Sequence, residues 1–160
     1  MIEPRIETIS EKKLIGKRLT MSFAHYNIGK LWQSFVPRRK EITNNLTNDL
    51  VSLVIYGPQH FIDFKPTNEF ERWAAVEVTD FKGTPAGMET FILPGGLYAV
   101  FDYKGSGTDH SIFKYIFGTW LPVSNYILSN RPHFEVLGDN YRNNDPLSEE
   151  QIWIPIQPKH

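Results

Sequence analysis

The chain is written twice, and that duplication restricts its fold more than any other feature. The segment IGKLWQSFVP (Ile28 to Pro37) aligns with FKYIFGTWLP (Phe113 to Pro122) at an offset of 85 residues. Leu31 falls on Ile116, Trp32 on Phe117, Phe35 on Trp120 and Val36 on Leu121. Apolar residues at i, i+1, i+4 and i+5 make one stripe on an α-helix, and the proline ends or kinks each copy at the same place. The segments beyond the helices match as well. LVSLVIYG (Leu50 to Gly57) and RPHFEVLG (Arg131 to Gly138) read as strands closed by a glycine turn, at an offset of 81. RWAAVEV (Arg72 to Val78) then parallels IWIPI (Ile152 to Ile156), each after an acidic polar loop, TNEFE in one and LSEEQ in the other. An extended segment precedes each helix, KKLIGKRL (Lys12 to Leu19) and GGLYAVFDYKG (Gly95 to Gly105).

Two β-α-β-β pseudo-repeats result, spanning about residues 1–80 and 86–160 of a single 160-residue domain. The joint DFKGTPAGMETFILPGG is dense in Gly and Pro around a strand over Met88 to Leu93, and reads as a connector. Each unit leaves an apolar helix stripe and an apolar sheet face to bury. The economical solution is an α+β fold: one antiparallel sheet with both helices on the same face and a ligand groove between them.

Composition narrows the partners. Lys+Arg 17 against Asp+Glu 18 gives a net charge of −1, which provides no excess of positive charge for a nucleic acid backbone. The local basic run PRRKE (Pro37 to Glu41) reads as a solvated helix end. Cys is 0, which removes disulfides and thiol chemistry and fits a cytoplasmic chain. The start, MIEPRIETISEKK, has no apolar signal core, and no run reaches the ~20 apolar residues of a membrane span. The five histidines form no pair at ligand spacing, so no metal or cofactor is expected. KGSGTDHS (Lys104 to Ser111) lacks a phosphate-loop pattern, and Thr108 or Asp109 as a helix N-cap explains it.

Aromatic residues are abundant: Trp 4, Tyr 7 and Phe 11. Against that background PHFEVLGDNY (Pro132 to Tyr141) sets Glu135 between Phe134 and Val136 in a strand that otherwise reads as buried. The repeat places Glu135 where the first unit has Val54, and Leu137 where it has Tyr56. A carboxylate on such a face is costly unless a partner compensates it. The alternatives are that Glu135 points out from the other sheet face, or pairs with Arg131 or Arg142.

The paired helices, together with PAGMETFILPGGLYAVFDYKG (Pro85 to Gly105), FGTWLPVS (Phe117 to Ser124), PHFEVLGDNY and SEEQIWIPI (Ser148 to Ile156), resemble the GyrI-like, AraC-type effector-binding family. The likeness covers nearly the whole chain. It implies a pocket between the helices for bulky, flat, often cationic lipophilic compounds, with a sheet glutamate facing them, here Glu135. The family often carries an aromatic two residues later, where this chain has Leu137. Trp73, Trp120 and Tyr141, at a strand start, a helix end and a strand end, are the candidate pocket walls. Trp32 and Phe35 belong to the first helix stripe and are assigned to the core.

The leading expectation is a receptor that senses or sequesters hydrophobic cations, with no room for a helix-turn-helix domain of its own. Some relatives hydrolyse strained cyclopropane-bearing compounds, so the alternative is a hydrolase in which Glu135 is the catalytic residue. A third reading is a protein-interaction module, like relatives that act on a topoisomerase.

Overall fold

The computed structural model describes residues 2–107 and 109–160. Its elements run β1 (Arg5–Ile9), β2 (Lys12–Met21), α1 (Ile28–Phe35), β3 (Leu50–Tyr56), β4 (Phe70–Val78), β5 (Glu89–Leu93), β6 (Gly96–Lys104), α2 (Ser111–Tyr115), α3 (Leu121–Val123), β7 (Tyr126–Leu128), β8 (His133–Leu137) and β9 (Glu149–Pro158). A tight 3-10 segment, Val36–Glu41, continues α1, and a π-helical segment, Ile116–Trp120, joins α2 to α3. The strands form one antiparallel sheet in the order β1-β6-β9-β8-β3-β4-β2-β5, with β7 pairing the far end of β9.

The duplication is visible in the register. Between the central strands β3 and β8, Ser52 faces Glu135 and Val54 faces His133. Those two pairs exchange under the 81-residue offset, so an approximate two-fold axis passes between the strands. The joint between the halves is more than a connector. β5 pairs β2 at one sheet edge and β1 pairs β6 at the other. Each half thus begins with a strand added to the other half's edge, and the repeat unit is one strand longer than β-α-β-β.

The helices pack on one face. Leu31 and Phe35, one turn apart on α1, bury against Ile15, Ala74, Val76 and Val78 of β2 and β4. Trp32 packs half-buried on the same cluster, so both aromatics of this helix serve the core. In the second half Ile112, Ile116 and Trp120, each four residues apart, bury against Phe101, Ile152 and Ile154 of β6 and β9. The N-cap of α2 is His110, without a side-chain cap, and not Asp109 as the sequence suggests; Asp109 stands one residue earlier and accepts the Ser111 N–H at 3.0 Å, and Thr108 lies outside the described residues.

The opposite face buries a cluster made entirely of strand residues, among them Leu53, Trp73, Tyr98, Phe134 and Trp153. Among the described residues no helix covers it, so the twisted sheet must curl over its own apolar side. Curling brings β2 and β4 close. A Cβ on Gly16 would stand 2.1 Å from the Ala74 carbonyl oxygen, which leaves room for glycine alone.

Candidate functional site

Alternation along the strands decides which side chains enter the groove. Ser52 faces Ala74 across the β3–β4 ladder, and Ala74 packs under α1. Glu135 faces Ser52 on one side and Ile152, beneath α2, on the other. Glu135 therefore lies on the helix-bearing face, half-buried, in the middle of the strip of β3 and β8 between the two helices. It does not point from the other face. Arg131 is engaged elsewhere: its guanidinium donates to the carbonyls of Leu97 and Ile156 and lies 4.6 Å from the Tyr98 ring centre.

Glu135 has a second acid beside it. Glu150, on β9, belongs to the same face as Ile152 and stands diagonal to Glu135 across the β8–β9 ladder. Burial, then the Glu135 charge, push the Glu150 carboxyl well above the ordinary carboxylate range, while Arg72 pulls it back. Arg72 extends from β4 on this face and donates to the Ser52 hydroxyl at 2.7 Å. Its Nε is buried with no hydrogen-bond partner among the described residues, so the guanidinium is not saturated. Tyr141 completes this end. Burial raises its hydroxyl, and the nearby Glu150 and Glu135 charges raise it further.

The other end of the groove is aromatic. Tyr56, roughly 13 Å along β3 from Ser52 at ~3.3 Å per residue, lies 4.4 Å from the His60 ring and 5.0 Å from His133. Burial pushes the Tyr56 hydroxyl up to about 12 and, aided by His60, His133 down to about 3, so both are neutral at pH 7. Phe61, on the loop after β3, stacks on His133 at 5.7 Å and reaches Phe117 of the π-helical segment at 5.5 Å. One exposed ring thus bridges the two halves and closes this end of the groove.

A hollow of about 670 Å³ adjoins the acid pair and is not centred on it. Leu50, Val76, Leu137 and Tyr141 form its apolar side, and Arg39 and Lys40 form part of its rim. Its volume suits a drug-sized molecule. Leu137, two residues from Glu135 on the same face of β8, joins the hollow to the acids. The basic run at the rim is a solvated helix end: Arg38 pairs with Glu41 at 2.8 Å, and Arg39 donates to the Asn48 carbonyl.

Of the side chains expected from sequence, the structure brings together Glu135 and Tyr141. Trp73 does not join them. It faces away from the helices, buried against Phe91 at 5.3 Å in the strand-only cluster, because its neighbour Arg72 takes the groove side. Trp120 is on the helix face, but it is packed edge-on to Phe101 at 5.3 Å beneath the second helix and serves as core. Glu150, Arg72, Tyr56 and Phe61 are site residues that sequence reasoning missed. The repeat held a signal for two of them, since Arg72 aligns with Ile152 and, two residues earlier, Phe70 aligns with Glu150, each a change of polarity at one backbone position.

Comparison with known proteins agrees with this architecture. Residues 2–157 match the GyrI-like small molecule binding domain. The chain belongs to that family. This GyrI-like domain is 32% identical over 131 residues to the transcriptional regulator BrlR of Pseudomonas aeruginosa, covering 81% of the chain and 46% of BrlR. It therefore spans about half the length of that relative. Among solved structures it shares its fold with SAV2435 bound to tetraphenylphosphonium, at 15% identity and a TM-score of 0.75, over 97% of this chain and 94% of that one. It also matches the EcmrR C-terminal domain, at 16% identity and a TM-score of 0.70, over 99% of each chain.

Proposed function

We propose that this GyrI-like domain, acting as one unit in the cytoplasm, binds lipophilic cations in the groove between its two helices and so senses or sequesters them. The observation that carries the reading is the half-buried Glu135, paired with Glu150 on the groove floor, with neutral aromatic rings at one end and an apolar hollow at the other. A cation ~4 Å from a carboxylate gains about 4 kcal/mol at an effective dielectric near 20. An aromatic face adds roughly 0.5–2 kcal/mol. With apolar burial, and after the entropy of association, about −8 kcal/mol remains, which is micromolar affinity. The fold shared with a tetraphenylphosphonium-bound protein makes that compound the natural first probe.

Titration with tetraphenylphosphonium and with a panel of lipophilic cationic dyes tests this reading. Saturable binding, weakened at least tenfold by Glu135→Gln, is expected. No saturable binding to any of them rejects it.

The acid pair supports one further chemistry. A carboxyl that burial and a neighbouring charge push upward, beside a second acid on the same groove floor, has the makings of general acid–base catalysis, with Glu150 donating a proton and Glu135 activating water. Mass spectrometry of the recovered ligand separates the two readings, because a receptor returns the compound intact and a hydrolase does not.

A further inference from the structure

Two ionised carboxylates held near each other on a half-buried surface repel, and one proton taken up by the pair removes that repulsion. Glu135 and Glu150 stand diagonally on neighbouring strands of one face, half-buried and within reach of each other. That placement favours one proton in the pair. Every side that packs against the pair bears on it. From β4 comes Arg72, a fixed cation held by the Ser52 hydroxyl of β3. β3 also contributes Tyr56, and β6 contributes Tyr103, opposite Glu150. On β8 the next residue of the same face is His133, which burial keeps neutral. The turn after β8 adds Tyr141, and Asp49, Asp139, Arg39 and Lys40 stand at the rims of the adjoining hollows. Arg72 can offset about one negative charge, so a second one on the floor has to be met by a proton or by a visitor.

We propose that a lipophilic cation enters this groove in exchange for the proton that Glu135 and Glu150 share. The inference rests on the binding reading above and adds its regulation. The carboxyl O–H of the pair breaks, the proton passes to solvent, the electron pair stays on the carboxylate, and the cation takes the place of the proton as the compensating charge. One positive charge enters and one leaves. Acid therefore expels the ligand, and a neutral compound of the same shape binds without any such dependence.

Tetraphenylphosphonium has no titratable group, so any proton released on its binding comes from the protein. Calorimetric titration of the wild-type chain is to be run at pH 6, 7 and 8, in pairs of buffers with different ionisation enthalpies. The expected result is the release of close to one proton at pH 6 and 7, with an affinity that rises toward tenfold per pH unit. Glu150→Gln should abolish the release and flatten that slope. Carbon-13 spectra of the wild-type glutamate side chains make the test independent of the variant's folding. One carboxyl carbon should titrate above the ordinary range in the free protein and move down when the cation is added. Binding with equal heats in all buffers and a pH-flat affinity overturns the exchange while leaving the receptor reading intact. Two ordinary carboxyl titrations in the free protein also overturn it. No binding at any pH removes both.

Discussion

Replacing Glu150 with glutamine should stabilise the domain increasingly as the pH rises. In the folded chain, burial and the Glu135 charge push the Glu150 carboxyl up to about 9. In the unfolded chain a glutamate titrates near 4.3. Between those values the folded protein holds a proton that the unfolded chain has released. The stabilising contribution of the protonated Glu150 is thus complete below the unfolded value and lost as the pH climbs through the folded one. One proton of difference sets a limiting slope of about 1.4 kcal/mol per pH unit. Glu150 is partly exposed and its titration is tied to the Glu135 charge, and screening with that coupling reduces the slope to roughly half. From pH 6.5 to 8.5 the wild type should therefore lose about 1–2 kcal/mol through this residue. Glutamine keeps the shape, donates to Glu135 and cannot ionise. Urea unfolding of both proteins at pH 6.5, 7.5 and 8.5 measures the difference directly. A gap that stays constant within ~0.3 kcal/mol, or narrows with rising pH, refutes the protonated pair.

The acid limb of the same stability curve should belong to His133. Burial holds it down at about 3, so its contribution is present above the ordinary histidine value near 6.5 and is lost as the pH falls below it; His133→Leu should flatten the curve between pH 6.5 and 4.5. Trp73→Phe should cost about 1–2 kcal/mol in thermal or urea unfolding, because a cavity opens in the strand-only cluster, yet shift cation affinity less than twofold, since Trp73 faces away from the groove. Phe61→Ala should change unfolding stability by under ~1 kcal/mol, the ring being half-exposed, but weaken binding of tetraphenylphosphonium about tenfold by opening the aromatic end. Gly16→Ala should cost about 3 kcal/mol or yield insoluble protein, as the added methyl meets the Ala74 carbonyl.

Much of the fold was legible because a duplicated chain states each element twice. The helices and the strands at Leu50, Arg72, Arg131 and Ile152 derive from offsets of 80 to 85 residues, and the single antiparallel sheet follows from burying the apolar faces of both units. β1 was not legible. RIETI is mostly exposed, carries charge at alternate positions and has no turn before it, so its identity as a strand comes from the unpaired edge of β6 and not from its own pattern. Glu135 was legible as an exception within an apolar strand. Trp73 misled because strand ends were assigned to the groove rim without fixing which face each residue takes, and a shift of one residue reverses that face. Glu150 was hidden in the polar run LSEEQ, where a carboxylate draws no notice. Only the extension of β9 back to Glu149 carries it onto the groove floor.

The two-fold plan and the one-sided chemistry belong together. Symmetric backbones place Val54 and Glu135 at equivalent positions, and likewise Tyr56 and Leu137, Phe70 and Glu150, and Arg72 and Ile152. Had both halves kept the acids, four carboxyls would meet across β3 and β8 with no cation between them, and the repulsion together with their desolvation would oppose folding. Had both kept the aromatics, the floor would be apolar throughout and blind to charge. Arg72, contributed by the aromatic half, reaches toward the acids of the other half and offsets part of their charge. The resulting floor runs from neutral rings to a protonated acid pair over about 13 Å. A flat molecule with a delocalised positive charge can meet both ends of that gradient at once, whereas a purely apolar ligand or a small hydrated cation meets only one.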